Sequence, residues 1–143
     1  MSKIKLTFDF PPVAQARPRA TRFGRGIRLY DLEPVHVYKK QLAESARFMY
    51  KGELLTGPLK VTIRFYREIQ RSESKKRHRL KAQGAIRPTK KPDLDNYIKS
   101  TLDGLNGVLW TDDNEIVELH TGKYYSDQPR VEIEVEEEKE AEE

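Results

Sequence analysis

The chain has 143 residues, a formal net charge of +4 and no cysteine. That length suits one domain with its own hydrophobic core, and the lack of cysteine excludes disulfides, a thiolate nucleophile and a cysteine zinc site. No apolar run is long enough for a signal peptide or a membrane span. We therefore expect a cytoplasmic protein, encoded by a bacterium or a phage.

Charge is distributed unevenly along the chain. Residues 1–90 contain 22 Lys and Arg against 7 Asp and Glu, whereas residues 91–143 contain 5 against 16. This asymmetry indicates a basic surface for a polyanion together with a local concentration of carboxylates. Part of the acidity lies in residues 136–143, which contain six glutamates. That segment is typical of a solvated, frayed tail rather than of a catalytic group.

The first predicted element is a strand at residues 3–10, because Ile4, Leu6, Phe8 and Phe10 alternate with other side chains along it. Pro11-Pro12 ends this strand. The segment from Ala16 to Tyr30 is rich in arginine, proline and glycine, which favours a flexible basic loop over a packed element.

A helix is predicted from Pro34 to Lys51, with Gly52 placed to end it. Its apolar residues share one face. They are Val35, Tyr38, Leu42 and Met49. A strand, 59–66, follows Gly57-Pro58, because apolar and polar residues alternate along it. The basic segment 71–81 lacks an apolar stripe, so we expect it to be exposed or mobile even if it forms a helix.

The C-terminal part contains one more predicted helix, 95–106, and two more strands, 115–125 and 130–136. The helix has an i, i+4, i+7 apolar stripe and the stop signal Asn106-Gly107. The stripe consists of Ile98, Leu102 and Leu105. Strands at both ends around a few helices predict an α+β fold. We expect a single domain over residues 1–143, with a mixed or antiparallel sheet packed against the helices.

The segment 91–113, KPDLDNYIKSTLDGLNGVLWTDD, contains the densest set of reactive side chains. Pro92 disfavours a helical conformation in the residue before it, so the chain should enter this segment extended. Asp93 and Asp95 would then point to the same side. Lys99 lies one turn later on the same face if the helix begins near Asp95.

A second acidic pair, Asp112-Asp113, follows the helix and could fold back beside the first pair. Clustered carboxylates repel one another unless protons or cations compensate them. Oxygen ligands favour Mg²⁺ or Mn²⁺, and such a cation can polarise a phosphate and activate a water. Lys99 could stabilise charge on phosphate oxygens or hold a carboxylate in place.

The residues alone leave structural interpretations open. Asp95 and Asn96 are common helix N-caps, and Asp112 belongs to a sequence that is typical of turns. Lys99 could simply pair with Asp95 or Asp103 on an exposed helix face.

Several motifs occur together in an order that resembles the RusA family of Holliday junction resolvases. They are Asp93-Leu94-Asp95-Asn96, Lys99, Asp103 and Gly107-Val108-Leu109-Trp110-Thr111-Asp112-Asp113. The similarity extends to the Pro-Pro after the first strand, to Arg17-Pro18-Arg19 and to Lys123-Tyr124, so it covers most of the chain.

The resemblance implies a metal-dependent endonuclease for four-way DNA junctions. By motif position the metal-binding and catalytic aspartates are Asp93, Asp95 and Asp113, and Lys99 is the catalytic lysine. Mg²⁺, or Mn²⁺, would be the cofactor. The enzyme would be a homodimer that makes paired symmetric nicks, with one active site supplied by each subunit, in DNA recombination and repair. Asp112 is an accessory ligand or a turn residue.

The basic segments are expected to bind DNA, since many phosphate contacts give salt-sensitive and largely sequence-independent affinity. The candidate contacts are Arg17, Arg19, Arg22, Arg25, Arg28, Lys75, Lys76, Arg77 and Arg79. Two other hypotheses remain. The chain could be a non-catalytic module that binds branched DNA, which would be indifferent to metal, or a nuclease for other branched DNA such as flaps or forks.

Overall fold

The computed structural model describes residues 3–17 and 19–138, apart from the side chains of Arg19, Phe23 and Arg28. This described part of the chain forms three α-helices and six β-strands, which confirms the predicted α+β class. In chain order they are β1 (Lys3–Phe8), β2 (Arg19–Phe23), β3 (Gly26–Tyr30), α1 (Glu33–Met49), β4 (Leu59–Glu68), α2 (Lys75–Ala82), α3 (Leu94–Leu105), β5 (Ile116–Ser126) and β6 (Arg130–Glu137). None of these helices is long and apolar enough to span a membrane.

Four strands form a mixed sheet in the order β1-β6-β4-β5. β4 and β5 are parallel, whereas β6 pairs antiparallel with both β1 and β4. Parallel neighbours require a crossover connection, and α2 and α3 lie in the connection between β4 and β5. The carboxyl ends of β4 and β5 therefore lie side by side, with Glu68 opposite Ser126.

One face of this sheet is covered by α1 and α3, and the core lies between them. The strand residues that face the helices are almost completely buried, as the alternation in sequence predicts. Along β4 they are Leu59, Val61, Ile63 and Phe65. The opposite face of the sheet carries charged and aromatic side chains, including Tyr66, Tyr124 and Glu132.

The buried face of α1 is largely as predicted, since Val35, Tyr38 and Leu42 are buried, whereas that of α3 is shifted and keeps only Leu105 of the predicted stripe. In α3 the buried residues are Tyr97, Ser100, Thr101, Gly104 and Leu105, whereas Ile98 and Leu102 are only half-buried. In α1, Ala46 is buried in place of Met49. The shift in α3 arises because α1 packs closely against it at Gly104, where an added Cβ would lie 3.2 Å from the Cα of Lys39.

Buried polar groups on α3 are paired, which explains how a helix can present them to the core. The Tyr38 hydroxyl and the Thr101 hydroxyl lie 2.8 Å apart, and Ser100 donates to the carbonyl of Val13 at 2.6 Å. These bonds connect α3 to α1 and to the segment after β1.

The prediction of a flexible basic loop at residues 16–30 is wrong in one respect, because most of this segment forms the antiparallel hairpin β2–β3. Phe23 pairs with Gly26, and Gly24 has a φ of +59°, a backbone conformation that glycine adopts without steric cost. Gly24 and Arg25 form the two-residue turn that the hairpin requires.

The other basic segment and the tail also differ from expectation. Lys75–Ala82 is helical and largely exposed, as expected, but Lys81 is buried. The tail predicted at 136–143 is not frayed at its start: Glu136 and Glu137 belong to β6, and the Glu138 amide donates to the carbonyl of Pro58 at 2.8 Å. Residues 139–143 lie outside the described part of the chain.

Candidate active site

The first two predicted site residues lie at the start of α3. Asp93 occupies the N-cap position with extended backbone, and both Asp93 and Asp95 are exposed. The helix begins at Leu94, so the same-side argument for an extended chain does not apply to this pair. Asp93 makes no side-chain capping hydrogen bond, which leaves its carboxylate available for another role. The capping interpretation of Asp95 and Asn96 is wrong, because both lie inside the helix.

The segment that leads into Asp93 is held by cations from the sheet. Lys123 Nζ donates to the carbonyls of Lys90 at 3.3 Å and Pro92 at 3.0 Å. Arg67 Nη1 donates to the carbonyl of Lys91 at 3.1 Å. Arg67 is in β4 and Lys123 in β5, so adjacent parallel strands fix the approach to the first turn of α3. We call residues 90–92 with these two cations the carbonyl clamp.

Asp113 lies at the other end of α3. Trp110 is fully buried, and its Nε1 donates to Asp113 Oδ1 at 2.6 Å. The Asp113 amide donates to Asn106 Oδ1 at 3.0 Å. Burial raises the pKa of Asp113, and the carboxylates of Asp103 and Asp112 add to this effect, whereas the Trp110 hydrogen bond and the ammonium of Lys99 lower it. Asp113 is therefore a fixed carboxylate in a partly desolvated position.

Lys99 pairs with Asp103, one of the two partners that the sequence left open. Its Nζ lies 3.1 Å from Asp103 Oδ1, and its side chain is 63% exposed. Asp103 also accepts from Lys39 at 3.5 Å, and Lys39 binds Asp31 at 2.7 Å. Sequence reasoning did not include Asp103 among the site residues, although its i, i+4 spacing from Lys99 was a usable signal.

Asp112 has a structural contact. Its side chain accepts from the Asn114 amide at 3.0 Å and caps the short 3₁₀ turn Asp113–Glu115. This contact agrees with the turn interpretation of Asp112.

The predicted carboxylates do not converge on one point within a single chain. Asp93 precedes the first residue of α3, whereas Asp113 is bonded to Asn106, which follows the last. At 1.5 Å per residue a helix of 12 residues separates the two ends by about 17 Å. Accordingly, residues 3–17 and 19–138 contain no group of three or more His, Asp or Glu side chains that could hold a metal ion.

The donor chemistry nevertheless fits Mg²⁺. The candidate ligands are all carboxylates. Asp93 and Asp95 are exposed, and Asp93 makes no capping hydrogen bond, so both are accessible to a hydrated ion. Mg²⁺ commonly uses one or two carboxylates and completes its coordination with waters and substrate phosphate. A pair at the start of α3 therefore meets the minimum requirement for such an ion.

Comparison with known proteins identifies the family of the chain. Residues 9–136 match the family model described as endodeoxyribonuclease RusA. The chain belongs to the RusA family. It is also 36% identical over 135 residues to the uncharacterized protein YqaN of Bacillus subtilis strain 168, an alignment that covers 93% of this chain and 95% of that protein. Membership of the RusA family supports a nuclease, specifically an endonuclease hydrolase that acts on junction DNA.

The basic residues predicted to bind DNA lie in two places in this RusA-family chain. Arg22 and Arg25 are exposed on the β2–β3 hairpin, and Arg17, just before it, lines a cavity that Asp93 also lines. The predicted contacts on α2 are all exposed. They are Lys75, Lys76, Arg77 and Arg79. The side chains of Arg19 and Arg28 lie outside the described part of the structure. Sequence reasoning missed Arg67, since a single basic residue in a strand carries no signal.

Proposed function

We propose that this chain resolves Holliday junctions by Mg²⁺-dependent paired symmetric nicking, in DNA recombination and repair in the cytoplasm. The match to the RusA family over residues 9–136 is the observation that carries this proposal, since it spans both ends of α3, where the candidate carboxylates lie. The exposed carboxylates beside exposed cations also favour phosphodiester chemistry over simple DNA binding.

In this proposal Asp93, Asp95 and Asp113 hold the metal, with Mg²⁺ preferred and Mn²⁺ tolerated. The ion would supply a polarised scissile phosphate and a more acidic attacking water. Lys99 is suited to contact phosphate oxygens, because its ammonium is exposed and Asp103 holds it near the acidic turn. Trp110 binds the Asp113 carboxylate and Asn106 binds the Asp113 backbone amide, so little reorganisation is needed when charge develops.

The predicted homodimer would bring together carboxylates that lie apart within one chain. Since the length of α3, about 17 Å, lies between Asp93 and Asn106, the residue that binds the Asp113 amide, we propose that Asp113 of one copy completes the Asp93–Asp95 pair of the other. This differs from the expectation that each subunit supplies a whole site. It also gives two equivalent sites related by the dimer axis, which suits symmetric cutting of a four-way junction.

The activity is tested with a labelled four-way junction beside a linear duplex of matched sequence, in Mg²⁺ and then in chelator. We expect paired nicks on the junction only, and only with metal. Asp93→Asn, Asp95→Asn and Asp113→Asn should lose cleavage and retain junction binding, because the charge repulsion with phosphate falls. Asp9→Asn, an exposed carboxylate before Pro11-Pro12, is the matched control and should cut normally.

Two outcomes would contradict this function. Tight junction binding without cutting in any divalent metal would favour the binding-module hypothesis. Cutting that is faster on flaps or forks than on four-way junctions would favour a nuclease for other branched DNA.

The shared site is tested by mixing two inactive variants. A heterodimer of Asp93→Asn and Asp113→Asn subunits has one intact site if the site is shared between copies, and none if each site lies within one chain. We therefore expect the mixture to regain single nicks but not paired nicks. No recovery after verified subunit exchange would exclude the shared site and leave the cleavage proposal standing.

A further inference from the structure

A cavity of about 440 Å³ lies between the end of β4, helix α2 and residues 86–91. Its lining contains two acidic side chains, Glu68 and Glu73, and six basic ones. The basic residues are Arg67, Arg77, Lys81, Arg87, Lys90 and Lys91. The formal charge of the lining is therefore +4.

Part of this charge is already neutralised. Glu73 pairs with Lys81, which is buried and lies 4.5 Å from the centre of the Tyr125 ring, and with Arg77 at 3.1 Å. The other cations in the lining, at positions 67, 87, 90 and 91, have no ion-pair partner within the described residues. Only Glu68 opposes these four charges, so an anion in the cavity would lower their mutual repulsion.

Two of the cations are held in place before any ligand arrives. Arg67 is fixed by its bond to the Lys91 carbonyl at 3.1 Å. Arg87 donates to the Lys123 carbonyl at 2.6 Å and stacks on the ring of Tyr124 at 3.9 Å. Each guanidinium has five N–H donors and has used one, so donors remain for phosphate oxygens. Fixed donors lose less entropy on binding than mobile ones.

The position of the Arg87 guanidinium also depends on the absence of a side chain at Gly122. A Cβ on Gly122 would lie 2.9 Å from Arg87 Nη2, closer than real Cβ contacts, and 3.0 Å from the Tyr124 hydroxyl, tighter than most of them. The glycine therefore gives the guanidinium room beside the sheet.

The cavity adjoins the candidate active site. Lys91 lines both this cavity and a second one, whose lining includes Arg17 and Asp93. A DNA strand whose phosphate lies at Asp93 would therefore have its neighbouring phosphates at Lys91 and then within the cationic cavity.

We propose that the cavity is a phosphate subsite that holds backbone phosphates of the cleaved strand next to the scissile one. This inference rests on the proposed function, because it takes Asp93 as the position of the cut. The proposal also divides the cations around α2 and the cavity into two groups. Those that line the cavity direct the strand, whereas Lys75 and Lys76, on the exposed side of α2, contribute only general attraction.

The test compares two variants that each remove two neighbouring positive charges. Lys90→Gln/Lys91→Gln removes exposed cations of the cavity, and Lys75→Gln/Lys76→Gln is the matched control on α2. Each variant is bound, without metal, to four-way junctions that carry one neutral methylphosphonate linkage, moved stepwise away from the cut. Where wild-type protein does not cut, the positions are counted from the crossover point.

We expect wild-type affinity to fall about tenfold or more for neutral linkages beside the cut, as for loss of a charge-assisted contact. The Lys90→Gln/Lys91→Gln protein should bind the normal junction about as weakly and lose little more with the neutral linkage. The slope of its log affinity against log salt should also become shallower by about 0.7–0.9 for each phosphate that the variant no longer neutralises. The control variant should retain the full effect of the neutral linkage.

Equal neutral-linkage effects in the two variants would overturn the subsite and leave only diffuse attraction. Wild-type cleavage in Mg²⁺ is measured on the same junctions, so the two proposals fail separately. If the protein cuts but shows no coupling between the two lysines, Lys90 and Lys91, and a phosphate, the subsite is refuted. If it shows this coupling but does not cut, the subsite stands and the nuclease proposal is refuted.

Discussion

Replacement of Lys123 by methionine tests whether the sheet positions the start of α3. The substitution keeps the unbranched apolar stem and removes both hydrogen bonds of the Nζ, to the carbonyls of Lys90 and Pro92. Arg67 alone would then hold the carbonyl clamp. We expect Asp93 to sample several positions, because the backbone immediately before it loses two of its three fixed contacts.

The size of the effect follows from the geometry. The bonds measure 3.3 Å and 3.0 Å, and the first is exposed while the second is partly buried. Water can therefore replace part of each bond, so the loss is about 1–2 kcal/mol in the free energy of unfolding, near the low end for bonds to charged groups. The melting temperature should fall by roughly 3–8 °C. A displacement of about 1 Å at a catalytic group can cost about 100-fold in rate, so kcat for junction cleavage should fall far more than stability suggests.

Two measurements separate positioning from DNA contact. Hydrogen exchange should be faster at the Asn96 and Tyr97 amides, which bond to the Asp93 carbonyl, and single-turnover cleavage should slow at saturating protein. Lys40→Met, on the exposed face of α1, removes the same charge and should change neither. If Lys123→Met instead lowers only junction affinity, with wild-type kcat and exchange, the clamp does not position Asp93.

Three further predictions concern the packing and charge that support α3. Tyr38→Phe leaves the buried Thr101 hydroxyl without its partner and should cost about 1–3 kcal/mol in denaturant unfolding; additive effects with Thr101→Val would refute the coupling. Gly104→Ala places a Cβ 3.2 Å from Lys39 Cα, so chemical denaturation should show a net loss of stability despite about 1 kcal/mol of gained helix propensity; a more stable variant would show that the helices can separate freely. The hydrogen bond from Lys39 lowers the pKa of Asp31 in the folded protein, so the stabilisation from this pair is present above the pKa of the unfolded state and is lost as pH falls through the lower pKa of the folded state. Asp31→Asn should therefore lose stability less steeply below about pH 4. An unchanged dependence of the free energy of unfolding on acid pH would contradict this.

Most elements could be predicted from periodicity because the sheet has one buried face. β4 and β6 alternate buried and half-buried residues along their length, and a period of two is visible in sequence. The β2–β3 hairpin was missed because arginine and glycine obscured that period. The exposed Ile27 and Leu29 and the residues Gly24-Arg25 were a usable hairpin signal.

The buried face of α3 could not be predicted from hydrophobicity. Thr101 and Ser100 are buried because hydrogen bonds to Tyr38 and Val13 satisfy them, and Gly104 is buried because it allows close approach of α1. All three depend on partners that are distant in sequence. The same limit applies to the site. Spacing suggested that Asp112-Asp113 could return to Asp93, but the Asp113 amide binds Asn106 after the end of α3, and the described residues form no cluster of three carboxylates that could hold a metal ion.

The charge asymmetry of the sequence has two structural explanations rather than one. Several glutamates of the acidic C-terminal part lie on the open face of the sheet, where Glu134 pairs with Lys5 at 3.0 Å and Glu132 with Arg130 at 2.8 Å. These carboxylates pair with cations on the same face. The cations of residues 67–91 have few such partners among the described residues, and several of them line the cavity at the carboxyl end of β4. The acidic C-terminal part thus has two separate uses: Asp93, Asp95 and Asp113 are candidate metal ligands, whereas the β6 glutamates form ion pairs on the open face of the sheet.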